Sequence, residues 1–240
     1  MSAPSQRSNE LGQPIGEDVP GWTPRPAPPR EAMQGRWCRI EPIDPERHAA
    51  DIFAANAADT AGGMWTYMNH GPFDDLDAYR AWMDAACRGD DPLFHAVVDG
   101  RDGKAKGLAA YLRINPTDGV IEVGSIALSP ALQRTAAATE AMYLMMRRAF
   151  DELGYRRYEW KCDDLNLPSR RAAERLGFLY EGTFVQATMY KGRNRDTAWY
   201  AITDKRWPGL RAAMEAWLDA ANFGPDGAQQ KNLSAFMPTG

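Results

Sequence analysis

The chain has 240 residues, 44% hydrophobic, 10% aromatic and 25% charged, the balance of an ordinary globular protein rather than a disordered or membrane-spanning one. Its 32 acidic and 28 basic residues leave a net charge of -4, which speaks against a general nucleic-acid binder or a polybasic membrane anchor and requires any anion site to be local. Cys38, Cys87 and Cys162, odd in number and without metal or redox spacing, argue against a disulfide framework and for a reducing compartment; with no apolar leader and no long apolar run, the sequence reads as cytoplasmic.

The first 35 residues hold seven of the 17 prolines and end in Trp22-Thr-Pro-Arg-Pro-Ala-Pro-Pro29, lacking both the amide donors and the apolar period of a helix or central strand. Residues 1–35 therefore read as an extended arm with Trp22 as its candidate anchor. Gly224 to Gly240 reads as an irregular tail with Phe236 as a local pin, leaving 36–223 as the folded domain. Arg36 to Glu41 alternates like a strand, and Asp44-Pro45 opens a helix over about 45–57 through an N-cap followed by proline. A glycine-rich and aromatic loop, Gly62 to Phe73, precedes a second helix that starts at Asp74-Asp-Leu-Asp and carries Tyr79, Trp82, Met83 and Ala86 at helical spacing.

Phe94 to Asp99 and Ala105 to Ile114 flank the turn Gly100-Arg-Asp-Gly103 as a hairpin, and Val120 to Leu128 is a strand at the middle of the chain. Ser129 to Ala138 leads into a helix whose Met142, Met145, Met146, Ala149 and Leu153 line one face, stopped by Gly154. A strand at 156–162, a short helix at 168–176, a long hairpin of 178–190 with 195–202 and a helix over about 208–222 complete the order. Strands around two helices, with antiparallel hairpins at both ends, indicate an α+β fold with a mixed sheet.

The unit with most chemical content is Ile121 to Glu140. A loop of small residues running into a helix start offers free amides and the positive end of the helix dipole, a place for pyrophosphate that needs no net positive charge, and Arg134 adds a charge-assisted contact. Glu122 shares a strand face with Gly124 and Ile126, and reads either as a proton acceptor or as a glutamate paired with Arg113 or Arg157. Asn166 and Ser169 suit the capping of the helix they precede or begin. Trp65, Tyr67, Phe73 and Trp82 read as core or as pocket lining, and Asp74, Asp75 and Asp77 as helix caps or as attraction for a cationic amine. His48, His70 and His95 show no ligand spacing, so no metal is expected, and Lys191-Gly-Arg-Asn-Arg195 reads as a solvated basic turn.

Glu122-Val-Gly124, Gln133-x-x-Ala-x-Ala138, Thr139-Glu-Ala141, Asn166-x-x-Ser169, Arg175-Leu-Gly-Phe178 and Arg195-Asp-Thr-Ala-Trp-Tyr200, in this order within Arg36 to Trp207, resemble the GNAT superfamily of acyl-CoA-dependent N-acyltransferases. The likeness is closest to its RimJ/RimL-like branch. The resemblance implies a mixed, mostly antiparallel sheet of six or seven strands, split at the central pair 120–128 and 156–162, with helices on both faces. It implies acetyl-CoA as acyl donor, with its pyrophosphate at the amides of Gln133, Arg134, Thr135, Ala136, Ala137 and Ala138. Pantetheine then runs along the strand through Ile126 and Leu128, with Asn166 beside it. Ser169 matches a position that protonates the departing thiolate, and Glu122 the position of the base that takes a proton from the incoming ammonium. Trp65, Tyr67, His70, Phe73 and Trp82 are the acceptor-binding candidates. One position departs from the pattern: Ala136 stands where the first loop glycine is expected, and alanine does not adopt positive φ cheaply.

The expected activity is transfer of an acyl group, most simply acetyl, from acyl-CoA to a primary amine by direct attack in a ternary complex. No nucleic-acid or membrane partner is expected, and a homodimer is compatible with the reading. Cys162 has no activating neighbour in sequence and is not expected to be a nucleophile. Two other readings stand beside this one: a non-catalytic acyl-CoA-binding regulatory module, favoured by the missing loop glycine, and a partner-binding protein working through the Pro-rich arm. For the acceptor, an open groove favours a polypeptide N-terminus and a closed pocket under Trp65 and Tyr67 a small molecule.

Overall fold

The computed structural model describes residues 7–238, so the first six residues of the expected arm and the last two of the tail lie outside the described residues. A small hairpin of β1 (Arg7–Ser8) and β2 (Pro14–Ile15) stands apart in the arm. The strands β3 (Met33–Gln34), β4 (Cys38–Pro42), β5 (Leu93–Asp99), β6 (Ala105–Asn115), β7 (Val120–Leu128), β8 (Arg157–Asp163), β9 (Leu179–Tyr190) and β10 (Arg193–Thr203) form one sheet in the order β3-β4-β5-β6-β7-β8-β10-β9. Every neighbouring pair is antiparallel except β7 and β8, which run parallel because α3 (Ala136–Arg147) crosses over between them. The sheet has eight strands rather than six or seven, since Met33 and Gln34 at the end of the arm pair with Ile40 and Arg39.

Strand alternation divides the core. Phe94, Ala96 and Val98 of β5, with Leu108 and Ala110 of β6, face α1 (Pro45–Asn56) and α2 (Leu76–Ala86). Leu93 and Val97, with Tyr111, Ile121, Val123, Tyr158 and Trp160, face α3 and α5 (Trp207–Leu218), and α4 (Leu167–Arg175) adds Ala173 to the same side. Asp44 at the N-cap and Pro45 as the first helical residue start α1, while Asp75 starts α2 by accepting from Ala78 N at 2.8 Å. The helix expected to Leu153 widens into a π turn at 148–152, and there the buried Arg148 donates to the carbonyls of Glu31 (2.6 Å) and Ala32 (3.2 Å). The helix expected over 208–222 breaks at Asp219, whose carboxylate caps a short 3-10 turn through Ala221 N.

The arm is strapped along the base of the sheet. Trp22 donates its indole N–H to Thr117 O at 2.7 Å and lies over Gly119, where a Cβ would come within 2.4 Å of the ring and where φ is +63°. The tail is held more firmly than its polarity suggests, because Leu233 is buried and Phe236 and Met237 pack on the same core. Among the described residues no helix is long and apolar enough to cross a membrane.

His95 on β5 is fully buried, and burial, reinforced by the positive charge of Arg148, pulls its pKa down from 6.5 to about 4. The unfolded chain therefore takes this proton first, and stability is lost as the pH falls through the interval from 6.5 to 4. In His95→Leu, the difference in urea-unfolding free energy between pH 7 and pH 4.5 is expected to shrink by about 2–3 kcal/mol relative to the native chain.

Candidate active site

β7 is nine residues long but pairs with β8 only from Val120–Arg157 to Val123–Trp160. The reason lies on its other side: between Leu108–Ala127 and Ala110–Gly124 the register with β6 slips by one residue, and Ser125 takes a φ of +49°. That bulge turns β7 outward. Gly124 to Leu128 remain paired to β6 but present a free strand edge toward β8, at the point where the two strands part.

The loop after β7 ends at the start of α3. Thr135 is the N-cap, accepting from Ala138 N at 3.2 Å and donating its hydroxyl to Leu132 O at 2.6 Å. The amides of Ala136 and Ala137 have no intrahelical acceptor at such a helix start, and the dipole adds positive potential there. Ala136 is the first helical residue and keeps negative φ; the left-handed residue is Arg134, at +60° and exposed. The alanine in place of glycine therefore imposes no backbone strain. Gln133 is exposed, and its side-chain amide donates to Leu128 O at 2.8 Å and ties the loop to the end of β7.

Across the split, Asn166 caps α4 by accepting from Ser169 N at 3.2 Å, which leaves its side-chain N–H groups free. Ser169 Oγ accepts from Trp160 Nε1 at 3.0 Å and so keeps its own proton to donate. The capping reading is realised by Asn166 alone, since Ser169 lies inside the helix with its hydroxyl on Trp160, and each of the two keeps a side-chain donor. Cys162 is buried, and burial raises its thiol pKa, in keeping with an inert cysteine.

Glu122 is buried on the opposite face, with Oε1 accepting from Arg113 Nη1 at 2.7 Å and Oε2 at 2.9 Å from Lys161 Nζ. The Arg113 pairing is the alternative the sequence allowed. Lys161 is the partner it did not reveal, and Arg157 goes instead to Glu159 (2.5 Å) and Glu181. Glu122 and Glu159 are direct cross-strand partners, and Lys161 sits between them, 2.7 Å from Glu159 and 3.7 Å above the Trp199 ring. Period-two alternation of Glu159 and Lys161 along β8 is the sequence signal that finds this face.

The 62–73 loop roofs this side. Trp65 is buried, and Trp65, Phe73 and Trp82 surround His70, whose ring stacks on Trp82 at 4.2 Å. Burial and the nearby Lys191 ammonium pull His70 down to about 4, so it is neutral at neutral pH; with Nδ1 2.7 Å from Asn69 Oδ1, the N–H lies on that nitrogen. Asp74 and Asp77 are exposed beside the Asp75 cap. Only Tyr67 of the aromatic candidates reaches across the split, donating to Leu165 O at 3.1 Å. The basic turn is not free in solvent: Lys191 Nζ donates to Trp65 O (2.9 Å) and Gly71 O (2.6 Å), and Arg193 to Thr66 O (2.6 Å). Three separate ties thus hold the loop down over the split strands. Among the described residues no group of His, Cys, Asp and Glu is arranged to hold a metal.

Residues 38–179 match the family model described as an acetyltransferase (GNAT) domain. A GCN5-related N-acetyltransferase from Brucella melitensis superposes with a TM-score of 0.88 at 47% identity, covering 91% of this chain and 99% of that one. YdaF of Bacillus subtilis, provisionally named as a ribosomal N-acetyltransferase, is 24% identical over 172 residues, 71% of this chain and 91% of its own length. Mycobacterium smegmatis RimJ, solved with CoA-disulfide, shares the fold at a TM-score of 0.65 and 17% identity, over 78% of this chain and 94% of that one.

Removing Lys161 leaves Glu122 and Glu159 facing each other in a buried strand pair. Lys161→Met is expected to lower unfolding free energy by about 3 kcal/mol or more, and adding Glu159→Gln to recover more than half of it, as read by urea denaturation of both variants.

Proposed function

Since the chain belongs to the GNAT acetyltransferase family, with relatives of the RimJ/RimL-like kind, we propose that it transfers an acetyl group from acetyl-CoA to the α-amine of a small acceptor enclosed beneath the 62–73 loop. Acyl transfer from acetyl-CoA is the activity of the family. The observation that carries the choice of acceptor is the triple tie of the loop, through Tyr67 to Leu165, Lys191 to Trp65 and Gly71, and Arg193 to Thr66. A roof rooted between α1 and α2 on the β6 side and tied by three side chains to elements beyond β8 spans the split, which suits a small molecule better than a polypeptide.

The residues present fit acetyl-CoA. The free amides at Ala136 and Ala137 and the exposed Arg134 suit the pyrophosphate, and the free edge from Gly124 through Ile126 to Leu128 suits the amide groups of pantetheine. Asn166 is placed to donate to the same arm with its side-chain nitrogen. When bound, acetyl-CoA supplies a carbonyl activated as a thioester. An amide near Ile126 to Leu128 would meet the developing oxyanion, and Ser169, its oxygen already accepting from Trp160, would return a proton to the departing sulfur.

The attacking amine must shed a proton. Glu122 is the proton acceptor we assign, acting through water, with Arg113 and Lys161 holding its oxygens in place. An α-amine, with a pKa near 8, sheds that proton far more readily at neutral pH than an alkyl ammonium near 10.4. The aromatic cluster around Trp65, Phe73 and Trp82 assists by desolvating the ammonium and favouring its neutral form. A second reading keeps the α-amine and makes it the N-terminus of a polypeptide; the name of YdaF favours it, and it requires the loop to open.

Glu122→Gln is expected to reduce turnover by about 10²–10⁴-fold at neutral pH, with partial recovery at high pH and little change in CoA affinity. Near-normal turnover with chemistry limiting the rate removes Glu122 from the mechanism. Thiol release with matched acceptors should favour amino-acid amides over alkylamines at pH 7 by about 10²-fold, following their neutral fractions. Lys191→Met with Arg193→Met is expected to raise KM for a small acceptor about tenfold while leaving peptides poor substrates. Peptides preferred by the native chain, and further improved by those substitutions, would establish the polypeptide reading instead.

A further inference from the structure

The turn from β9 into β10 brings three cations to the roofed cleft, Lys191, Arg193 and Arg195. Lys191 and Arg193 donate to carbonyl oxygens of the roof, so their bonds are satisfied while their charge is not compensated. Arg195 makes no such tie. It is half-buried, its Nε is enclosed without a hydrogen-bond partner, and among the described residues no carboxylate stands within ion-pair distance of it. The acidic side chains of these strand ends are already bonded elsewhere. Asp196 alternates to the other face of β10 and accepts from Gln186 N and from Asn194, while Asp163 accepts from the Tyr190 hydroxyl at 2.7 Å and from Leu165 N at 2.9 Å. Lys161, deeper in the cleft, is by contrast held between two glutamates. The positive charge of the turn is felt under the roof, where Lys191 helps burial to pull the His70 pKa down.

Register sets Arg195 beside the reaction. β10 alternates Arg193, Arg195, Thr197 and Trp199 onto the face that carries Lys161, and the Tyr190 ring, with the guanidinium groups of Arg193 at 5.2 Å and Arg195 at 6.0 Å, reaches Asp163 on that same face. Thr197 pairs with Asp163, and the β7–β8 register continued past the split brings Ile126 roughly level with Asp163. We propose, on the reading that the roofed cleft is the acceptor site, that Arg195 receives a carboxylate carried by the acceptor, so that the substrate is an amine with a distant anionic group. A guanidinium meets a carboxylate through two parallel N–H···O bonds, which supplies the partner that the enclosed Nε lacks. β8 lies between Ile126 and Arg195, so their backbones are at least two strand spacings, about 10 Å, apart. The arginine side chain covers part of that gap, and the remainder sets the carboxylate several bonds from the α-amine, as in the side chain of a dicarboxylic amino-acid derivative. Uncompensated positive charge also favours the neutral amine over the ammonium, so anion binding and formation of the nucleophile act in the same sense.

Thiol release from acetyl-CoA with the α-amides of glutamate, glutamine and arginine, which share one kind of α-amine, is the test. The native chain is expected to show a kcat/KM for the glutamate amide at least about tenfold above that for the glutamine amide, the difference lying in KM and shrinking as salt is raised. Arg195→Gln is expected to bring the two within about twofold of each other and Arg195→Lys to keep part of the preference, with one CoA dissociation constant for all three chains. Calorimetric titration of the CoA-loaded chain with the Nα-acetyl derivatives of the glutamate and glutamine amides reads the same preference without turnover. Charge-selective binding that depends on Arg195, with no transfer to any of the amides, upholds the anion site and defeats the acetyl-transfer reading. Transfer with equal kcat/KM for the glutamate and glutamine amides overturns the anion site and leaves the transfer reading standing. Without transfer, equal binding of the two acetylated amides overturns it as well. So does a preference that survives Arg195→Gln, a loss of CoA affinity in that variant, or a preference for the arginine amide, which points to the exposed Asp74 and Asp77 instead.

Discussion

The one-residue slip between β6 and β7 is the constraint on which the rest depends. A single extra residue near Ser125 turns β7 away from β8 after four paired positions, and a sheet otherwise continuous from β3 to β9 opens in the middle. A free strand edge would ordinarily be a liability in a core; here it faces the start of α3, whose first amides are also unpaired. Two sets of unsatisfied backbone donors thus converge on one cleft. The fold then limits the exposure: Gln133 covers Leu128 O, and Thr135 covers Ala138 N and Leu132 O.

Opening the sheet also strips one face of β7 and β8 of helical cover, and polar chemistry fills the gap. Glu122, Glu159, Lys161 and Arg157 link β7 to β8, and Arg113 and Glu181 extend the array to β6 and β9. Buried carboxylates in register are tolerable only because a cation lies between them. Trp199 and Phe184 stack over the lysine, and the turn between β9 and β10 reaches across to hold the 62–73 loop by its carbonyls. The roof, the charge array and the long β9–β10 hairpin are therefore parts of one arrangement.

The terminal segments stabilise the side away from the cleft. Glu140, on α3, receives the amides of Arg36, Trp37 and Cys38 at 2.6–2.8 Å and fixes the turn from β3 into β4. A Cβ at Gly35 would come within 2.3 Å of that carboxylate, which is why glycine stands there. With Trp22 on Gly119 and Arg148 on the carbonyls of Glu31 and Ala32, the arm is a strap across the base of the sheet. The helix that presents its start to the cleft is thus held from behind by the same residues that add the eighth strand.

The order of elements and the helix starts at Asp44, within Asp74 to Asp77 and at Asn166 were legible in the sequence, because periodicity and capping are written within a few residues of one another, while the neighbouring of 120–128 and 156–162 was read from the family resemblance. The sequence also marked the loop into α3 and offered Arg113 as a partner for Glu122. What it did not contain were pairings set by packing at long range: Lys161 between two glutamates, Lys191 and Arg193 on the carbonyls of 65–71, and Met33 at the sheet edge. The tie from the Gln133 side chain to Leu128 O is of the same kind, since the orientation of that carbonyl follows from the bulge. The missing glycine at Ala136 mattered less than expected because the left-handed turn falls at Arg134, and only the folded backbone decides which residue of a loop carries positive φ.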